Sequence, residues 1–476
     1  MGRPPLDRQP NSLLAHWMNR CGLSRNRLAR LVTERGAIQG ITGLATDESR
    51  VRAWLKGSVP RDPVPRLIVE VLSAETGMDL SYADIGLPGE AGPTGIRSPW
   101  NRTGAIAALS QIIRSELMLP ELPNTRTGPD AADVHTGREL LDPLQKWALS
   151  RPDETEKSES GGRRRVGMSD VEGIRQLTST FRDLDNRHGG VLSRAAVLAQ
   201  TAAVLSWLKT CTYTEAVGRE LFSAAADLGS VAGWMTFDAG RHTAAQRTFV
   251  SALRAAAEGD DRRIGAHILQ CMARQMSHLG HVDDALDLVA LAQYGARRHL
   301  TPAATSMLAA LEARFQAILG HTADSEAAAG RALDAYERVE PGSEESHTAF
   351  FDLPELHATL GMAHQIAAKH EEGQARTRHV RRSTDLVVAA LADRPEHRQR
   401  SRAFDHLGLA RTYLAGGEVE GAAQETERCL EMLGTVHSLR VADRLGELYR
   451  EAEPYATTAA GRDLREQIHA QLTAAG

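Results

Sequence analysis

The residues with the most chemical content lie between Leu23 and Gly57. Leu23-Ser-Arg-Asn-Arg-Leu-Ala29 opens a helical pattern in which Ser24 is a natural N-cap and Leu28, Leu31 and Val32 share one apolar face. Arg35-Gly36 is expected to end it. A second, shorter pattern, Glu48-Ser-Arg-Val-Arg-Ala-Trp-Leu-Lys56, follows Asp47 as its cap and stops at Gly57 and Pro60. Its periodicity puts Val51, Trp54 and Leu55 inside and leaves Ser49, Arg50, Arg52, Ala53 and Lys56 outside. An outer face of this kind has the chemistry to enter a DNA major groove, where an arginine pairs with guanine and a small residue avoids a clash.

The elements around that face carry a marked charge asymmetry. Residues 1–66 hold twelve Arg or Lys against five Asp or Glu, and this surplus of +7 leaves −12 for the rest of a chain whose total is −5. A basic head on an acidic body predicts that the head alone meets a polyanion. The 476 residues argue for two to four folding units. Apolar residues make up 42%, charged residues 25% and aromatics only 4%. A core rich in Ala and Leu and poor in β-branched runs is most easily built from closely packed helices, so the expected class is all-α.

Three regions follow: a helical unit over 1–87, an irregular region with a flexible linker over 88–168, and a repeat region over 169–476. Pro88-Gly-Glu-Ala-Gly-Pro-Thr-Gly95 breaks the first from the second. Helices are expected at Gly104–Leu119 and near Gly137–Leu149, with a loop at Pro120–Gly128 between them. The apolar-free run 151–165, ending in Arg163-Arg-Arg165, reads as the linker. Ser169-Asp-Val-Glu172 has the form of a capping box that opens the repeat region.

A self-similar turn then recurs. Asp238-Ala-Gly240-Arg-His-Thr-Ala-Ala245 is echoed by His278-Leu-Gly280-His-Val-Asp-Asp-Ala285 and Ile318-Leu-Gly320-His-Thr-Ala-Asp-Ser325. The 40-residue spacing predicts a helix, a glycine turn and a second helix in each unit, stacked on the next. Ala368-Lys-His370-Glu-Glu-Gly-Gln-Ala375 and Ala415-Gly-Gly417-Glu-Val-Glu-Gly-Ala422 extend the series to about five units. Glycine at the turn permits the left-handed conformation, and the small residue five positions later permits close packing. Arg274, Gln275, Arg314 and Gln316, on the first helices of successive units, are candidates for a protein- or peptide-binding groove.

The turn sequences resemble the tetratricopeptide repeat family, which implies an α-solenoid, although the consensus aromatic after the glycine is missing. The pair Leu-Ser-Arg-Asn-Arg-Leu-Ala and Arg-Val-Arg-Ala-Trp-Leu-Lys-Gly resembles the lambda-repressor or Xre family of helix-turn-helix domains, whose pattern is Leu-Ser-Gln-x-x-Leu-Ala followed by Ser-x-x-Trp-x-x-Gly. That match implies a phosphate contact for Arg25 and base-reading positions for Glu48, Ser49 and Arg52. Arg27, Arg50 and Lys56 complete the candidate DNA-binding set. The whole ordering is similar to actinobacterial developmental regulators, among them repressors of sporulation and antibiotic production. It implies a transcriptional regulator acting on double-stranded DNA, expected as a homodimer, whose repeats dimerise or take a protein or peptide effector.

The long connection Gly36–Thr46 and the acid at Glu48 support a second reading, a repeat scaffold whose head no longer binds DNA. An enzyme is not expected, since no Walker loop, H-E-x-x-H or G-x-S-x-G motif occurs. No cofactor or metal is expected either. Cys21, Cys211, Cys271 and Cys429 form no C-x-x-C pair and read as buried free thiols. The apolar stretch Ala195–Leu208 falls short of a membrane span, and Met-Gly-Arg-Pro-Pro opens without an apolar core, so a cytoplasmic, nucleoid-associated protein is expected.

Overall fold

The computed structural model describes residues 10–41, 43–76, 80, 82, 85–87, 96, 98–118, 134–149, 164–188, 190, 193–342, 345–432 and 439–474. Among them there are helices and no strand; an isolated bridge joins Arg165 to Thr212. The chain forms two compact units, Met1–Thr94 and Gly95–Gly476. The breaker run 88–95, the loop 120–128 and the linker up to Arg163 lie outside the described residues.

The first unit holds α1 (Ser12–Arg20), α2 (Arg25–Ile38), α3 (Glu48–Leu55) and α4 (Val64–Thr76). Leu14, Trp17, Leu28, Val32, Val51, Trp54, Leu67 and Ile68 form its core. The two expected caps are present: Ser24 Oγ accepts from the Arg27 amide at 3.2 Å and Asp47 Oδ1 from the Arg50 amide at 2.9 Å. Asn11 caps α1 at Leu14 and also donates from Nδ2 to the carbonyls of Ile85 and Gly86, closing the unit's two ends on each other.

Gly36 does not end α2. The helix runs on to Ile38 and closes over left-handed Gly40, with the Ile41 amide bonded to the Gly36 carbonyl at 2.9 Å. Gly36 is instead a point of close approach, because a Cβ there would lie 2.5 Å from Leu44 Cδ2. The α2–α3 connection is thereby seated on α2, and the Thr46 amide bonds to Thr33 Oγ1 at 3.1 Å.

The second unit opens with α5 (Arg102–Met118), α6 (Gly137–Leu149), α7 (Met168–His188) and α8 (Arg194–Thr210). The cap of α7 sits two residues before the expected box: Gly167 is the first turn's acceptor, and Asp170, not Glu172, reaches back to the Gly167 amide at 2.9 Å. Five helix pairs follow: α9 (Glu215–Asp238) with α10 (His242–Glu258), α11 (Arg262–His278) with α12 (Val282–Ala296), α13 (Pro302–Ile318) with α14 (Thr322–Tyr336), α15 (Leu353–Ala367) with α16 (Gly373–Asp393), and α17 (Gln399–Gly416) with α18 (Val419–Met432). Within each pair the helices pack along most of their length, and each pair packs on the next. The unit closes with α19 (Leu439–Glu451), a 3₁₀ turn (Glu453–Tyr455) and α20 (Ala459–Ala474).

The recurrent turn has one geometry at four places. Gly240, Gly280, Gly320 and Gly417 all have φ between +74° and +88°, and the amide after each glycine bonds to the carbonyl five residues back at 2.9–3.1 Å. Ala245, Ala285, Ser325 and Ala422 are buried against the preceding helix. The 368–375 turn differs: His370 stands where the glycine would be, and the left-handed residue is Gly373, at the start of α16.

The helices between 88 and 168 belong to the second unit's core. α5 packs on α8 and α10, and α6 packs on α12. Trp147 of α6 is fully buried between Gly265 and Gly295, where a Cβ on either glycine would approach its ring to 2.3 Å. Arg262 lies over the same indole at 5.4 Å. Truncating this wedge leaves a large cavity, so Trp147→Ala should cost about 3–5 kcal/mol, read as a lower urea midpoint for the second unit's transition. Gly295→Ala should also lower it, because the indole cannot move aside in a packed interior.

Candidate functional site

In the first unit the expected outer face is exposed except at Ala53, which is half-buried. Glu48, Arg52 and Lys56 follow one another at i, i+4 and i+8 along α3, with Val51 and Trp54 turned into the core. Leu55 is only half-buried. The side chains of Arg52, Lys56 and Arg27 are exposed and have no hydrogen-bond or ion-pair partner among the described residues. The other members of the set are engaged locally. Ser49 Oγ donates to Asp47 Oδ1 at 2.7 Å, and Arg50 Nη1 donates to the Ala45 carbonyl at 2.6 Å.

Arg25 and Glu48 join the start of α2 to the start of α3 by an exposed ion pair, Nε to Oε1 3.4 Å. Exposed pairs of this kind add little stability. The contact does partly neutralise the one acid on the α3 stripe, which sequence alone sets against a polyanion. Hydrogen bonds from the Arg50 amide and Ser49 hold the Asp47 carboxyl below its ordinary range, so this cap stays ionised.

The repeat unit holds the other candidate residues, and the structure divides them. Arg274 and Arg314 line a cavity of about 120 Å³ with Phe237, Glu355, Phe404 and Arg440. Gln275 is fully buried on another side of α11, where its Nε2 donates to the His242 carbonyl at 2.7 Å and ties α11 to α10. Gln316 meets His321 Nδ1 at 2.9 Å across the α13–α14 turn and stands outside the cavity wall. The two arginines are thus brought together, and the two glutamines serve helix contacts.

A second cavity of about 150 Å³ shares Arg274, Glu355, Ser401, Phe404 and Arg440 with the first. Arg182 is paired with Asp227, and Arg400 grips Asp185 through both Nη atoms at 3.1 and 2.7 Å. Burial works against the Arg400 charge, yet Asp185 and Asp238 hold it above the ordinary arginine value. Arg440 pairs with Asp238 at 2.7 Å and stacks over Trp234 at 4.5 Å. Sequence reasoning missed this network, since its members come from α7, α9, α17 and α19.

Cys271, on the wall, is pushed up to about 12 by burial and is an inert thiol. His267 beside it is held well below the usual histidine value by burial and by His347. Among the described residues no group of three or more His, Cys, Asp or Glu is arranged to hold a metal ion, and no helix is long and apolar enough to cross a membrane.

A protein-family model described as the SP15 N-terminal domain matches residues 14–88, which fall within the first unit. No curated protein matches the chain.

Burial also lowers His242 and His364 to about 4, with His278 and His379 as like-charged neighbours. A histidine depressed in the fold takes up a proton more readily when unfolded, so its contribution is complete above pH 6.5 and is lost as pH falls from about 6.5 towards 4. The second unit's melting temperature should therefore fall on acidification across this window, and His364→Phe should make the fall shallower.

Proposed function

We propose that the protein is a DNA-binding transcriptional regulator. Its first unit is read as a helix-turn-helix domain of lambda-repressor or Xre type with α3 as the recognition helix, and its repeats as a tetratricopeptide-like α-solenoid that dimerises or engages a protein partner. The observation that carries this reading is the α3 stripe, where the Arg52 and Lys56 side chains are exposed and unpartnered among the described residues. Such cations have no structural task and are free to meet base edges and phosphates. Arg25 at the start of α2, held to Glu48 by an exposed ion pair, can exchange that partner for a phosphate oxygen.

Two such units held by the repeats would read half-sites about 34 Å apart. The likeness to actinobacterial developmental regulators suggests targets in sporulation or antibiotic production. An interaction scaffold with a vestigial head is the competing reading, supported by the local engagement of Arg50 and Ser49.

Fluorescence anisotropy of the full chain on duplex DNA over a salt series separates the two. Arg52→Ala should weaken specific binding by about 1–3 kcal/mol and relax preference at one base position. Lys56→Ala should weaken binding to all sequences alike and reduce the salt slope by about one. Equal, weak retention of wild type and both variants would favour the scaffold.

A further inference from the structure

We propose that the second unit binds a small organic anion, with its carboxylate or phosphate group received by Arg274 and Arg314 and its apolar body lying against Phe237 and Phe404. This inference goes beyond DNA recognition and stands whether or not the first unit reads DNA. It follows from the partners of the arginines and acids on the wall of the smaller cavity. Arg440 is neutralised by Asp238 at 2.7 Å and Arg444 by Glu447 at 2.5 Å. Asp405 is taken by Arg394 at 2.5 Å, and Glu355 by Arg394 at 3.1 Å.

That leaves Arg314 without an acid, and Arg274 with only a long contact to Glu355, since the single cation Arg394 is shared between Glu355 and Asp405. Arg274 spends its Nε on Gln270 and stands 3.9 Å from Glu355, while its Nη2 is enclosed and has no hydrogen-bond acceptor. Arg314 has no side-chain hydrogen-bond or ion-pair partner among the described residues, and its Nε is also enclosed. Desolvation pushes the Arg314 guanidinium well below the ordinary arginine value, and Arg444, Arg274 and Arg411 add repulsion that Glu447 only partly offsets. A half-buried cation with no partner is costly, and an anion supplied from outside reduces that cost.

The form of the site selects the ligand. Cavities of about 120 and 150 Å³ that share five lining residues have room for a molecule about the size of one aromatic ring and none for a folded partner. Guanidinium forks match the geometry of carboxylate and phosphate. Phe237 and Phe404 supply an apolar wall beside them.

The test is thermal unfolding of the full chain with phenyl phosphate, benzoate or neutral benzyl alcohol, each titrated at constant ionic strength. Either or both anions should raise the melting temperature of the repeat unit by a few degrees in a saturable manner, and benzyl alcohol should not. The two anion arms distinguish a phosphate from a carboxylate ligand. Arg314→Met, which keeps the side chain's bulk without its charge, should melt higher than wild type in the absence of ligand and lose the anion-dependent rise. Arg274→Met should weaken that rise with its circular dichroism unchanged.

A rise that persists in Arg314→Met, or no rise beyond that of sodium chloride, would overturn the proposal. So would a response to a hexaglutamate peptide with none to either small anion, which would assign the groove to a polypeptide.

Discussion

The backbone bond that closes each glycine turn is the constraint on which the larger unit rests. At Gly240, Gly280, Gly320 and Gly417 the following amide returns to a carbonyl five residues earlier, which is possible only because the glycine adopts a left-handed φ. The bond fixes the angle at which the second helix leaves. The small residue five positions on then lets the two helices approach closely, so that long side chains from the first helices converge instead of being spread along the surface. Arg274, Arg314 and Glu355 share one cavity wall although they are distant in sequence.

That convergence forces charges into a place poor in water, and the unit answers with acids in matching positions. Asp238 is fully buried between Arg400 and Arg440, and Asp185 takes the other side of Arg400. Arg254, also fully buried, donates to the Ile96 carbonyl at 2.6 Å and so holds the start of the unit on α10. Buried networks of this kind are costly to break by removing one member. Against that background Arg314, with no side-chain partner among the described residues, is an exception, and the anion proposed for the cavity would supply one.

The local features were legible in the sequence. Ser24, Asp47, the buried Val51 and Trp54, the exposed Arg52 and Lys56, and the turn glycines all follow from periodicity and capping chemistry, which depend on neighbours within a few residues. What could not be read depended on distant contacts. Nothing local to Gly36 says that Leu44 will lie on it, and nothing near Trp147 says that Gly265 and Gly295 will enclose it. The α7 cap forms at Gly167 and Asp170, two residues before the box that the sequence suggests. Gln275 and Arg274 are neighbours in sequence, yet the 100° turn of a helix sends one to α10 and the other to the cavity.

The reading of DNA sequence by the first unit, as proposed, is open to selection from a pool of random duplexes on the immobilised full chain. Several rounds at moderate salt should enrich duplexes that share a short motif, and their affinity should fall steeply as salt rises. A pool that remains random after selection, with no retention even at low salt, would contradict it.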